Sequence, residues 1–334
     1  MLKHNLLLFY RSSVKHKSTF LINLIGLSTG LACTLIIYLW VHDELSVDKF
    51  HQKDKQLYQV MQNVPDGEGG TLTIEGTPGP LGKAILDEIP QVEEVAVVDG
   101  GDNGIVSVSN TGLKATHLFV PKNFFNVFSY QLIRGNKDDV LKEKSSILLS
   151  DEFALKLFHT NDIVGKTIYW DKGEYTGSYI VSGVFKKPSR NSSAQFDILL
   201  NYQVYFQKKA TDLQDWGSSN PRTYLIIKKG TDASLLSDKI SGFLKTKFKQ
   251  AKGRDPKYVG TLFLQRYSDK YLYNHYENGV ATGGRIAYVR LFSIIALFIL
   301  AIACINFMNL STAQVSGRLK EIGVKKAIGA KRKA

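Results

Sequence analysis

Two long uncharged apolar runs, one near each end, constrain this chain more than any other feature. "FLINLIGLSTGLACTLIIYLWV" (Phe20 to Val41) is 22 residues long and "LFSIIALFILAIACINFMNL" (Leu291 to Leu310) is 20. At about 1.5 Å of helix per residue, each can cross a hydrocarbon layer of roughly 30 Å. Both read as transmembrane helices, so the fold class is a membrane protein whose two helices flank one large region.

Charge supports that division. The chain carries a net charge of +13, which on its own suggests a nucleic-acid binder. Residues 1 to 41 hold four Lys/Arg and no Asp/Glu, residues 289 to 334 hold eight against the single Glu321, and the middle holds 31 against 29. Eleven of the thirteen net charges therefore sit at the ends, and no nucleic-acid surface is expected in the middle. Arg11, Lys15 and Lys17 precede the first run, Asp43 and Glu44 follow it, and seven basic residues follow the second. The positive-inside rule then puts both ends in the cytoplasm. The expected organisation is a basic amphipathic segment at 1–18, a first span at 19–41, an external region at 42–288, a second span at 289–311 and a basic closing segment at 312–334. Anionic lipid at the inner leaflet is an expected partner of these basic ends.

Processing signals fit poorly. A secretory signal has a shorter apolar core and a small-x-small cleavage site, whereas this run continues to Trp40 and Val41. "GLAC" (Gly30 to Cys33) departs from a lipoprotein box in having Gly30 where Leu is usual, and in staying apolar after Cys33. Cys33 and Cys304 are the only cysteines and both lie within the spans, so the external region has no disulfide and depends on its core. With 44% hydrophobic residues and 11% aromatics, the chain has material for one.

The external region alternates strand and helix patterns. "QLYQVMQNV" reads as a strand, "GPLGKAILDEI" as a helix ending at Pro90, and "VEEVAVV" as the next strand. Short strands are expected at "GIVSVSN", "LKATHLFV", "YQLIRG", "KTIYW" and "SYIVSGVF", with a helix at "SDEFALKLF" capped by Ser150. A last unit pairs the strand "RTYLIIKKG" with one helix, "DASLLSDKISGFLKTKFK". The expectation is a mixed α/β region with a more β-rich insertion near 115–190.

Catalytic patterns are not found. "VGKT" (Val164 to Thr167) mimics a phosphate loop but has Thr160 where the first glycine belongs, and "GTPGPLGKA" has Ala84 where a hydroxyl would hold Mg²⁺. The seven histidines are scattered, with no metal spacing, and read as structural or surface residues. Carboxylate pairs such as Glu93 and Glu94 lie in polar surroundings and give no sign of a raised pKa. No catalytic, cofactor or metal residues are assigned, and no enzymatic activity is expected.

The closing stretch "NLSTAQVSGRLKEIGVKKAIGAKRKA" carries the most specific signal. It resembles the cytoplasmic segment after the second span of FtsX-like and MacB-like ABC transporter permeases, close to R-x-R/K-E-I-G-I/V-R/K-K-A-x-G-A-x-R. The match runs through Arg318, Lys320, Glu321, Ile322, Gly323, Val324, Lys325, Lys326, Ala327, Gly329, Ala330 and Arg332. The first span running into "HDELSVDKFH", the second span "SIIALFILAIACINFMNLSTAQ", and the external stretches "FFNVFSYQLIRGN", "ILLSDEFALKLF" and "IVGKTI" are similar to the same family, with a MacB-type periplasmic core domain outside.

That resemblance implies a permease subunit that couples a separate cytoplasmic ATPase to movement of a periplasmic domain, for export or extraction of peptide, drug or lipoprotein substrates. It also implies the inner membrane, pairing with a second permease copy or half, and room for a periplasmic partner. The closing segment would be a coupling helix. Leu319, Ile322, Ala327 and Ile328 would offer an apolar contact, Glu321 would meet a basic group, Gly323 and Ala330 would admit another backbone, and Gly329 would end the helix. Family members have further spans, so the chain is expected to be the first part of a longer permease. Two alternatives remain. One is a regulator of cell-wall hydrolases within the same family. The other is a two-span sensor, against which Gly317, Gly323 and Gly329 count, because their six-residue spacing suits no heptad.

Overall fold

The computed structural model describes residues 17–109, 111–250 and 259–328. It divides into a helical unit, reaching Leu45 and resuming at Ile286, and a unit from Ser46 to Arg285.

The first helix, α1 (Lys17–Ser46), contains the first apolar run. The external unit then follows in chain order. Strands β1 (Leu57–Pro65) and β2 (Thr71–Ile74) lead to helix α2 (Leu81–Glu88), and β3 (Val92–Val108) pairs with β4 (Thr111–Val120). A short α3 (Phe124–Val127), β5 (Leu132–Arg134), β6 (Ser146–Ser150) and α4 (Asp151–Phe158) come next. They are followed by β7 (Thr167–Asp171), β8 (Gly177–Phe185) and β9 (Ile198–Asn201). Helices α5 (Tyr202–Lys208) and α6 (Ala210–Gln214) precede β10 (Arg222–Ile227). Helices α7 (Ala233–Ser241) and α8 (Phe243–Gln250), strand β11 (Thr261–Arg266), the short α9 (Tyr267–Lys270) and the hairpin β12 (His275–Glu277) and β13 (Val280–Gly283) complete it. The chain then enters α10 (Arg285–Ala327).

The strands form two assemblies that share β3. In the first, the order β11-β1-β10-β3 is antiparallel throughout. Period-two alternation sends Val60, Leu225 and Ile227 to one face, where Leu81, Ile85 and Ile89 meet Leu236, Ile240, Leu244 and Phe248 from the helices. In the second, β3 pairs with β4, β4 with β9, β9 with β6, β6 with β8, β8 with β7, and β7 returns to β3. Six strands thus close into a ring filled by Val106, Ala115, Phe119, Ile147, Leu149, Ile168, Trp170, Val181, Ile198 and Leu200. It occupies the stretch where the β-rich part was expected, together with the end of β3 and all of β9.

Two expected strands, "VEEVAVV" and "GIVSVSN", are one 17-residue strand. Its pairing with β4 slips between Gly100 and Asn103, where Gly100 (φ 109°) and Gly101 (φ 107°) adopt a left-handed backbone that re-aims the strand from sheet to ring. The single helix expected at 232–249 is two, parted at Gly242. Ser150 caps α4 as anticipated: its Oγ accepts from the Phe153 N–H at 3.3 Å, and Asp151 and Glu152 fill the first turn. His159, at φ 59°, ends that helix.

Candidate functional site

In the helical unit, windows of α1 (Phe20–Ser46) and α10 (Arg285–Asn309) are long and apolar enough to cross a membrane, with mean hydropathies of 2.1 and 2.7. Small residues let the helices approach. A Cβ placed on Gly30 would lie 2.6 Å from the Ala303 Cβ, and one on Gly26 would lie 3.2 Å from the Asn306 amide nitrogen. The Thr34 hydroxyl donates to the Gly30 carbonyl at 2.8 Å, and Trp40 meets Phe292 edge-on at 5.1 Å. Leu21, Ile25, Ile36, Leu297, Phe298 and Ile302 remain exposed, as lipid-facing residues would be.

Helix α10 does not stop at the end of its apolar run. It continues through Gly317 and Gly323 to Ala327, so these glycines do not interrupt it. A backbone glycine weakens a helix by about 1 kcal/mol without obliging it to end. The continuous helix sorts the segment by face. By spacing, Leu319, Ile322, Gly323, Lys326 and Ala327 stand at i, i+3, i+4, i+7 and i+8, the pattern of one helix stripe, while Arg318, Glu321 and Lys325 form a neighbouring row at i, i+3 and i+7. Lys320 falls outside both. Of the expected apolar group, Leu319, Ile322 and Ala327 fall within the helix at the spacing of one stripe, and Ile328, 80% exposed, follows the helix end. Gly329, Ala330 and Arg332, with the expected helix stop, lie outside the described residues.

A second constellation was not anticipated. Residues 46–52 run along the external unit immediately after α1 and are held by two distant loops. The Asn191 side-chain amide donates to Ser46 Oγ at 2.6 Å, and the Asp48 N–H donates to the Asn191 carbonyl at 2.8 Å. The fully buried Asp48 carboxylate accepts from the Ser193 N–H at 2.9 Å and the Ser193 hydroxyl at 2.5 Å. Asp48 sits at φ 60°, a left-handed conformation that a non-glycine residue keeps only when its surroundings impose it. On the other side, the Ser129 N–H donates to His51 Nδ1 at 3.1 Å and the Gln52 N–H donates to Ser129 Oγ at 2.9 Å.

The His51 ring is enclosed by Phe50, Phe128, Tyr130 and Tyr267, with centroids 4.2 to 5.6 Å away. Burial lowers its pKa to about 4, with Asp54 pulling the other way. Burial likewise raises the Asp48 carboxyl, against the pull of the Ser193 hydrogen bonds and Lys270. At Glu75, burial pushes the carboxyl upward, but Lys270 at 2.7 Å and Arg222 more than offset it, and the net shift is downward. These residues are scattered over 46–54, 75, 128–130, 191–193, 222 and 267–270. No local spacing could have collected them.

The comparisons place this geometry. Residues 20–243 match the MacB-like periplasmic core domain family, and residues 293–334 match the FtsX-like permease C-terminal family. Curated relatives include macrolide export ATP-binding/permease proteins MacB from Neisseria meningitidis and Neisseria gonorrhoeae, each 28% identical over 233 residues. Each alignment covers 69% of this chain and 32% of the relative, so the chain spans about a third of the length of the curated relatives it matches. A crystallised domain of a permease protein from Porphyromonas gingivalis shares the fold, with a TM-score of 0.53 and 21% identity over 65% of this chain and 93% of that one. The chain belongs to the MacB-like/FtsX-like permease family. It is a permease with two membrane-crossing helices and a mixed α/β domain of the MacB periplasmic type between them.

Proposed function

We propose that this chain is the non-catalytic permease part of a MacB/FtsX-type ABC system in the inner membrane, with both ends cytoplasmic and the unit from Ser46 to Arg285 outside. A separate ATPase docks on the segment from Arg318 onward, and its cycle moves α10, which carries the motion to the external unit. Export or extraction of a peptide, drug or lipoprotein is the work such motion would serve. A second permease copy or half would complete the membrane part, and anionic lipid would neutralise the basic ends.

The observation that carries the reading is the unbroken course of α10. A helix keeps its length under load far better than a loop, so a push on Leu319, Ile322, Gly323 and Lys326 at one end reaches Arg285 at the other. Lipid attraction alone explains the lysines of this segment but not Glu321 or Gly323.

The test compares substitutions of opposite charge sense in the full-length permease. Glu321→Lys makes the segment more basic, and Gly323→Leu crowds its apolar side. On the docking reading, both reduce co-purification of the ATPase while membrane insertion stays normal. Changing Lys325 and Lys326 together to Gln is then the milder injury. If Glu321→Lys retains the ATPase as well as wild type, while the Lys-to-Gln pair loses membrane association, the docking reading is abandoned.

A further inference from the structure

The chain between α1 and β1 is fastened by groups whose roles are uneven. Ser46 and Gln52 are held by neutral hydrogen bonds, and the Asp48 carboxylate by two from Ser193. His51 is different. Its Nδ1 accepts from the Ser129 N–H, so this bond requires that nitrogen to be unprotonated. Its Nε2 is buried and has no hydrogen-bond partner among the described residues, and the residue is 3% exposed within four aromatic side chains. Protonation would place the new N–H on Nδ1, lose the Ser129 bond, set one donor against another, and put a charge beside an Nε2–H that has no acceptor in either form.

We propose that residues 46–52 form an acid-released strap, closed on the external unit while His51 is neutral and let go when His51 takes up a proton. The strap geometry stands independently of what binds the far end of α10.

The surrounding charges leave this assignment with His51. Asp54, which follows the strap, attracts the protonated form; its Oδ2 is paired with Arg266, its Oδ1 is buried without a hydrogen-bond partner among the described residues, and no hydrogen bond joins it to His51. The hydroxyls of Tyr130 and Tyr267 come from the other packed elements, and burial holds both phenols far above neutrality. Asp48 and Lys270 interact with each other beyond those tyrosines. Among the described residues none of these groups is hydrogen-bonded to His51 Nε2 while the strap is closed.

The sign follows from linkage. A histidine neutral in the closed strap and exposed in the open one binds more protons when open, so closure is complete above its ordinary pKa of 6.5 and is lost as pH falls from there toward about 4. Asp48 acts oppositely. Its raised carboxyl binds a proton more readily when the strap is closed, which favours closure at the acid end. From the His51 values alone, the open-to-closed ratio should rise about 25-fold between pH 7.5 and 5.

Hydrogen exchange on the full chain in nanodiscs reads this directly, with rates corrected for the intrinsic effect of pH. Amides of Asp48, Gln52 and Ser129 should open about 25-fold more often at the lower pH, while amides of β6, in the ring, stay unchanged. His51→Gln, which keeps a side-chain oxygen to accept from Ser129 but cannot titrate, should flatten the response. Asp48→Asn, which removes the opposing titration, should keep the response or steepen it. A flat wild-type profile overturns the proposal without need of any variant. So does an equal slope in His51→Gln, or a slope abolished by Asp48→Asn, which would move the sensor to the carboxyl.

Discussion

The Trp170 ring stands where a side chain at Gly104 would have to go. A Cβ built at that glycine overlaps the indole, and both residues are buried inside the ring of six strands. Gly104 on β3 and Trp170 on β7 are thus a size-matched pair that lets the closing strand approach. Gly104→Ala should cost about 1–3 kcal/mol by overpacking, and Trp170→Ala about 3–5 kcal/mol by leaving a cavity. The combination should cost less than the sum, because the added methyl then enters emptied space. Chemical denaturation of each variant, followed by circular dichroism, measures the cycle; strict additivity would show that the two do not compete for space.

The helix pair has its own steric test. In a background free of Cys33 and Cys304, cysteines at Gly26 and Asn306 should cross-link on oxidation, since these positions face each other. Adding Gly30→Leu should abolish the cross-link, because Gly30 has no room beside Ala303. Persistence of the cross-link at wild-type yield would mean that the helices pair elsewhere.

Membrane orientation is checked by labelling. Single cysteines at Ser109 or Asn220 should react with an impermeant maleimide in intact cells once the outer membrane is permeabilised, and a cysteine at Lys333 should not. Reaction at Lys333 alone would invert the proposed topology.

His117 adds a pH dependence of its own. Its Nδ1 donates to the Asp102 carbonyl at 2.9 Å, and burial lowers its pKa, an effect partly opposed by that hydrogen bond. A base held neutral in the fold stabilises it fully above 6.5 and loses that contribution as pH falls below. The denaturation midpoint should therefore drop between pH 7 and 5. His117→Gln should make the drop shallower, with His51 accounting for what remains, and an identical slope in the variant would count against His117.

Much of the architecture was legible because periodicity is a local property. The two apolar runs, the β1 and β8 patterns, the helix ending before Pro90 and the Ser150 cap all announce themselves within ten or twenty residues. Where sequence reading failed, distant partners decided. "GIVSVSN" looks like an independent strand, yet β4 pairs across the glycine bulge and keeps it in β3. "FDILLN" and "TLFLQR", which the sequence reading does not assign, are β9 and β11 through neighbours more than fifty residues away. The segment after the second span was legible as a family pattern, but its faces depended on whether the helix survived Gly317 and Gly323. Asp48 and His51 lay within the quoted stretch "HDELSVDKFH", which signalled kinship and not the bonds to Ser129 and Ser193.

Sharing β3 has a consequence for how the external unit can fail. A side chain in a strand keeps its face only while the register holds, and a slip of one residue would turn Val95 and Val97 out of the first sheet's helix-covered face and Val106 out of the ring together. Neither assembly can therefore be lost piecemeal to a register error in this strand. The external unit should melt in a single cooperative step, and a partly unfolded form with an intact ring beside a disordered sheet would be too sparsely populated to feed misassembly with other chains.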